Sequence, residues 1–154
     1  GHAMMQKLPY AGLEWVENFN IKDLQDFDDS DSGLFLEVDL TIPDNLHNKF
    51  SDLPPIPEVQ CSPGSKQKKL KMTLESKQGY VIYYKNLQFL MKHGVQVTKI
   101  GKVLRFRHSE WLKPYINTNT ELRTSAKSQF DKGLFKLMVN SVYGKTIENV
   151  RKHT

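Results

Sequence analysis

Between Gly33 and Leu40 every second residue is aliphatic: Leu34, Leu36, Val38 and Leu40 fall on one side, and Phe35, Glu37 and Asp39 on the other. A period of two is the repeat of an extended strand, and four aliphatic side chains on one face have to be covered by another element. The chain is therefore committed to a sheet with at least one packed face. Pro43 ends this strand, because it brings no N–H to a ladder. A second strand reads from Tyr80 to Lys85, a short helix from Asn86 to His93 stopped by Gly94, and a third strand from Val95 to Phe106 with a kink at Gly101. Ile21 to Phe27 suits a turn or two of helix, and Asp26 to Gly33 is an acidic loop out of phase with a calcium-binding pattern. The Pro-rich and then basic stretch of about 54–71 reads as a flexible linker.

The last 45 residues, from Glu110 on, carry helical periodicity. Ser109 is placed as an N-cap, and Pro114 sits early enough to be tolerated. One helix is expected from Glu110 to about Thr124 and a second from Ser125 to about Tyr143, with a break at Gly144. The fold class is α+β: a small mixed or antiparallel sheet followed by a C-terminal helical hairpin.

With 154 residues and 38% hydrophobic content, the chain has material for about one domain and one core. The longest apolar run is five residues, Tyr80 to Tyr84, so no segment reads as a membrane helix. A single cysteine, Cys61, excludes an internal disulfide and suits a reducing, intracellular compartment. His47, His93, His108 and His153 show no metal-ligand spacing. Gly1 to Met4 reads as a tag-cleavage scar. The net charge of +5 hides a division: Glu14–Glu58 carries twelve acids against two bases, and Val59–Thr154 nineteen bases against five acids. Such a split gives the C-terminal part a surface for polyanions.

On a wheel of about 100° per residue, Phe130, Leu134, Leu137, Met138 and Ser141 gather on one side of the second helix, as its core stripe. Lys132, Lys136, Asn140 and Tyr143 fall within about 80° of one another on the other side. Two lysines, an amide and a phenol in one stripe suit a phosphate chain and a sugar. A plain solvated helix face reads the same way on geometry alone.

The residues themselves discriminate further. Lys136-Leu-Met-Val-Asn140-Ser141-Val-Tyr143-Gly144-Lys145 resembles the Kx₃NSxYG signature of family B DNA polymerases, which lies on the inner helix of the fingers. The segments GLFLEVDLTIPDNLHNKFSDLPPIPE, YVIYYKNLQFLMKHGVQVTKIGKVLRF and WLKPYINTNTELR resemble the protein-primed subgroup, with the Polinton or Maverick transposon and virus-like polymerases the nearest likeness. The resemblance runs over about residues 7 to 154 and implies part of a palm and an insertion over 5–108 and fingers over 109–154. It implies that Lys136 and Lys132 contact the phosphates of an incoming dNTP. It implies that Asn140 and Tyr143 shape the nucleotide pocket, the tyrosine disfavouring a 2′-hydroxyl, and that Gly144 lets the backbone approach the nascent base pair. Arg123, Lys127 and Lys145 become candidate contacts to phosphate or to primer–template DNA.

The resemblance also marks what this segment lacks. Phosphoryl transfer by two metal ions needs carboxylates. In this family they come from an Asp–Ser–Leu–Tyr–Pro-type motif before this segment and an Asp–Thr–Asp motif after it, and neither string occurs here. No catalytic or metal residue is therefore assigned in this chain; Mg2+ belongs to the complete polymerase. Glu37 and Asp39, two apart on one strand face, have no further carboxylate nearby in sequence. The subgroup also implies a priming terminal protein as partner and, for a viral or transposon element, the nucleus or cytoplasm of its host. Two readings stand at this point: a polymerase fragment whose chemistry is completed elsewhere, and a non-catalytic DNA- or protein-binding module derived from one.

Overall fold

A computed structural model describes residues 1–152; His153 and Thr154 lie outside the described residues. The strands are β1 (Leu8–Val16), β2 (Ser32–Thr41), β3 (Pro57–Cys61), β4 (Lys68–Met72), β5 (Lys77–Tyr83) and β6 (Gln96–Ser109). The helices are α1 (His47–Phe50), α2 (Tyr84–Lys92), α3 (Lys113–Ser125) and α4 (Gln129–Thr146). The class is α+β, as the sequence implied. Four strands form one sheet in the order β1-β6-β2-β5, and β3 and β4 form a separate antiparallel ribbon. The chain divides into two compact units, residues 12–106 and residues 1–11 with 107–154.

In the 12–106 unit, Leu34, Leu36, Val38 and Leu40 of β2 are all buried, and their face is covered by Leu87 and Leu90 of α2 together with Leu24, Phe50 and Ile56. β2 runs antiparallel to β5, pairing Leu36 with Ile82 and Val38 with Tyr80. The register shifts between Val38 and Leu40, where the Asp39 carboxylate accepts the Gly79 N–H at 2.8 Å. Gly79 has a φ of +58°, a conformation that suits glycine at such an irregularity. α2 ends at Gly94, whose φ is +100°. The N–H groups of Val95 and Gly94 reach the Leu90 and Met91 carbonyls, closing a Schellman cap.

The expected linker differs from expectation over most of its length. Residues 57–72 form the β3–β4 ribbon, with Val59 opposite Leu70 and Gln60 opposite Lys69. Its turn includes Gly64 at a φ of +78°, and Pro57 opens the first strand, where a missing N–H does least harm. The charged tip masked the alternation of Val59, Cys61, Leu70 and Met72. The ribbon is tied down by Lys77, whose buried ammonium lies 3.1 Å from the Glu58 carboxylate.

The other unit has a small core of Met4, Leu112 and Ile116, packed with Leu8, Tyr115, Val139 and Val142. His2–Met5 is a turn of 3-10 helix, and Met4 is buried. α3 begins at Lys113 rather than Glu110, and Ser109 ends β6 instead of capping a helix. α4 begins at Gln129 on a real cap: Ser128 Oγ accepts the Asp131 N–H at 3.0 Å and donates to the Asp131 carboxylate at 2.7 Å. α4 also runs through Gly144 to Thr146.

Candidate functional site

α3 and α4 are joined by the short bend 126–128 and pack as a hairpin. The Tyr115 hydroxyl donates to the Met138 carbonyl at 3.3 Å, which fixes the register of the two helices. The face of α4 turned toward α3 carries Phe135, Val139 and Val142. The core stripe read from the wheel is corrected by this packing: Phe130 is 78% exposed and Leu137 63%, while Leu134, Met138 and Ser141 are exposed as well. α4 is apolar on two arcs, and α3 meets the one that carries Phe135, Val139 and Val142.

This rotation brings the polar stripe to the flank of the hairpin seam. Lys136 and Asn140 of α4 and Asn119, Thr120 and Arg123 of α3 line one cavity of about 230 Å3, floored by Ile116, Phe135 and Val139. Gly1 is also part of its wall. The lining holds two basic side chains, two amides and a hydroxyl, with no carboxylate. Thr120 Oγ1 donates to the Ile116 carbonyl at 2.8 Å, so it stays within its own helix. A cavity of this kind suits an oxyanion: Arg offers a planar fork and Lys a mobile point charge.

The remaining sequence-selected residues surround it without lining it. Lys132 is half-buried one turn before Lys136, and Tyr143 is about half exposed one turn after Asn140. A Cβ on Gly144 would meet nothing within 4 Å, so the described residues leave that position open. Lys127 stands exposed in the bend, and Lys145 is ion-paired with Glu148. Asn119 and Thr120 were not legible in the sequence; only the spacing of Asn119 and Arg123, four apart on one helix face, hints at them.

A larger groove, about 450 Å3, lies in the 12–106 unit among Pro57, Tyr80, Ile82, Tyr83, Asn86 and Phe89. It has no cationic side chain and does not suit a phosphate chain. Three carboxylates of the acidic loop have partners within the fold: Asp29 accepts the Tyr84 hydroxyl and pairs with Lys85, Asp28 accepts the Ser30 N–H, and Asp31 accepts the Ser32 hydroxyl. Asp39 is taken up by Gly79. Among the described residues no three His, Cys, Asp or Glu side chains converge on a point that would hold a metal ion, and no helix is long and apolar enough to cross a membrane.

A family model described as DNA polymerase type B, organellar and viral, matches residues 1–153. Among solved structures the chain is similar to phi29 DNA polymerase complexed with primer-template DNA, in a post-translocation binary complex. The TM-score is 0.53 at 20% sequence identity, over 92% of this chain and 23% of that one. At that identity the likeness speaks for the fold, and the chain spans about a quarter of the length of that polymerase. No curated protein sequence matches.

Proposed function

We propose, for a chain that belongs to the organellar and viral type B DNA polymerases as a fragment of the protein-primed kind, that the α3–α4 hairpin binds the triphosphate of the incoming dNTP. The observation that carries the reading is the cavity between the helices, where Arg123, Lys136 and Asn140 meet without a carboxylate. Lys136 and Arg123 take the phosphate oxygens, with Lys132 a turn away along the path of the chain. Asn140 and Tyr143 bound the sugar and base, and the exposed Tyr143 ring excludes a 2′-hydroxyl by its bulk. Lys127 and Lys145 serve the DNA backbone at the two ends of α4, Lys145 by exchanging Glu148 for a phosphate.

The Mg2+ ions of such a polymerase do not fit the residues present, since oxygen-rich carboxylate sites are what Mg2+ takes and the cavity has none. Carboxylates from segments before and after this one are needed. Primer–template DNA and a priming terminal protein are the partners this reading implies.

The test is Lys136→Ala in the complete polymerase. A charge-assisted contact is worth about 1.5–3 kcal/mol, so nucleotide use should fall about ten- to hundredfold. Melting should be nearly unchanged, because Lys136 is exposed and Ala favours a helix. Tyr143→Val should relax discrimination against ribonucleotides while keeping dNTP use. Normal incorporation kinetics in Lys136→Ala would dismiss the site.

A further inference from the structure

Asn119 is 4% exposed, and one of its two polar atoms is left over. Its Nδ2 donates to the Tyr115 carbonyl at 2.8 Å. That bond decides which way the amide faces, because a carbonyl oxygen only accepts. Oδ1 then accepts no hydrogen bond among the described residues. A buried acceptor without a donor is costly, and native structures rarely tolerate one without a use.

The same cavity wall carries side chains with N–H donors: Arg123, Lys136 and Asn140. The Tyr115–Met138 hydrogen bond sets the level of the antiparallel helices. Asn119, one turn further along α3, comes level with α4 about one turn before Met138, next to Phe135 and Lys136. Helical side chains lean toward their own N-terminus, which for α4 is toward the Asn119–Arg123 end of α3. We propose that Asn119 is a positioning residue for Lys136: when nucleotide occupies the cavity, the Asn119 Oδ1, which has no donor here, takes a hydrogen bond from the Lys136 ammonium and draws that cation into the cavity. The role rests on the reading of Lys136 as a nucleotide-phosphate contact. An ammonium has three donors, so one given to Asn119 leaves two for phosphate oxygens. A neutral amide orients the cation without cancelling its charge, which a carboxylate in the same place would do.

The experiment is a double-mutant cycle in the complete polymerase, read as KM and kcat for dNTP beside melting curves. Asn119→Leu has nearly the same shape but no acceptor. It should raise KM about three- to tenfold, leave kcat within about twofold and leave melting unchanged or higher. Asn119→Ala gives the same readout without any risk of overpacking. Asn119→Thr should keep KM within about twofold of the native value, because its hydroxyl donates to the carbonyl four residues back, as Thr120 does, and still accepts. Added to Lys136→Ala, none of these changes should raise KM further. An unchanged KM in Asn119→Leu or Asn119→Ala overturns the proposal, as does an effect that persists in full in the Lys136→Ala background or couples to Arg123→Ala instead. If Lys136→Ala raises KM and the Asn119 variants do not, only the positioning role fails. If Lys136→Ala leaves KM unchanged, the nucleotide reading fails and takes this role with it.

Discussion

The Tyr84 hydroxyl is buried and donates to the Asp29 carboxylate at 2.7 Å, while Lys85 pairs with the same carboxylate at 3.0 Å. Burial first, and then the hydrogen bond to Asp29, hold the phenol well above its ordinary value of 10.0. The unfolded chain releases this proton near pH 10, and the folded chain keeps it. The stability due to the neutral phenol is therefore fully present below about pH 10 and is lost as the pH rises above it, by about 1.4 kcal/mol per pH unit. Tyr84→Phe should cost about 1 kcal/mol at neutral pH, the net value of one hydrogen bond. It should also flatten the fall in stability of the purified chain between about pH 10 and 11 by one proton's worth. Denaturant unfolding across that range decides it, and parallel curves for the two proteins would rule the account out. The sequence shows an acidic loop at residues 26–33 but not its purpose, since the partner of Asp29 lies 55 positions away.

The elements differ in how plainly the sequence announces them. β2 was legible because its period of two is unbroken and its aliphatic residues have one face to fill. α4 was legible as a helix but not in its orientation. Phe130, Leu134, Leu137 and Met138 form the more hydrophobic arc, yet Phe135, Val139 and Val142 are the residues turned to α3. Periodicity within one helix cannot say which of two apolar arcs meets the neighbour; the packing of Val139 and Val142 against Leu112 and Ile116, beside the Tyr115–Met138 hydrogen bond, shows which one does. The motif residues Lys136 and Asn140 were found by their spacing, because that spacing lies within one element. Asn119 was not, because its significance appears only when two helices are laid side by side. Thermal melts separate the two arcs. Ile116→Ala, at a position 2% exposed, should cost about 2–5 kcal/mol. Leu137→Ala, on the open arc, should stay within about 0.5 kcal/mol. The opposite ranking would mean that α4 is rotated about its axis from the orientation described.

At the scale of the whole chain, the division of charge follows the division into units. Residues 1–11 and 107–154 carry ten Lys and Arg against four Asp and Glu, whereas residues 12–106 carry twelve against thirteen. The excess of cations therefore belongs to the unit that holds the α3–α4 cavity. Within that hairpin Lys113 pairs with Glu110 and Lys145 with Glu148. Among the described residues Arg123, Lys127, Lys132 and Lys136 have no carboxylate partner, and they lie along the end of α3, the bend and the first half of α4. If three or four of them neutralise phosphates, the binding constant for duplex DNA should fall with salt at a slope of about −3 on logarithmic axes. Sequence preference should be slight, because charges of this kind contact phosphates and not base edges. Charge reversal at Lys127 and Lys132 should reduce the slope by about 2. The same chain should not extend a primer, since the cations and amides that line its cavity are not ligands for metal ions. Fluorescence titration of a labelled duplex between low and moderate salt, run beside a primer-extension assay, reads both expectations at once. A salt-independent constant would remove the electrostatic account of the hairpin. Template-directed incorporation by the purified chain would show that a metal site exists which none of its described carboxylates assemble.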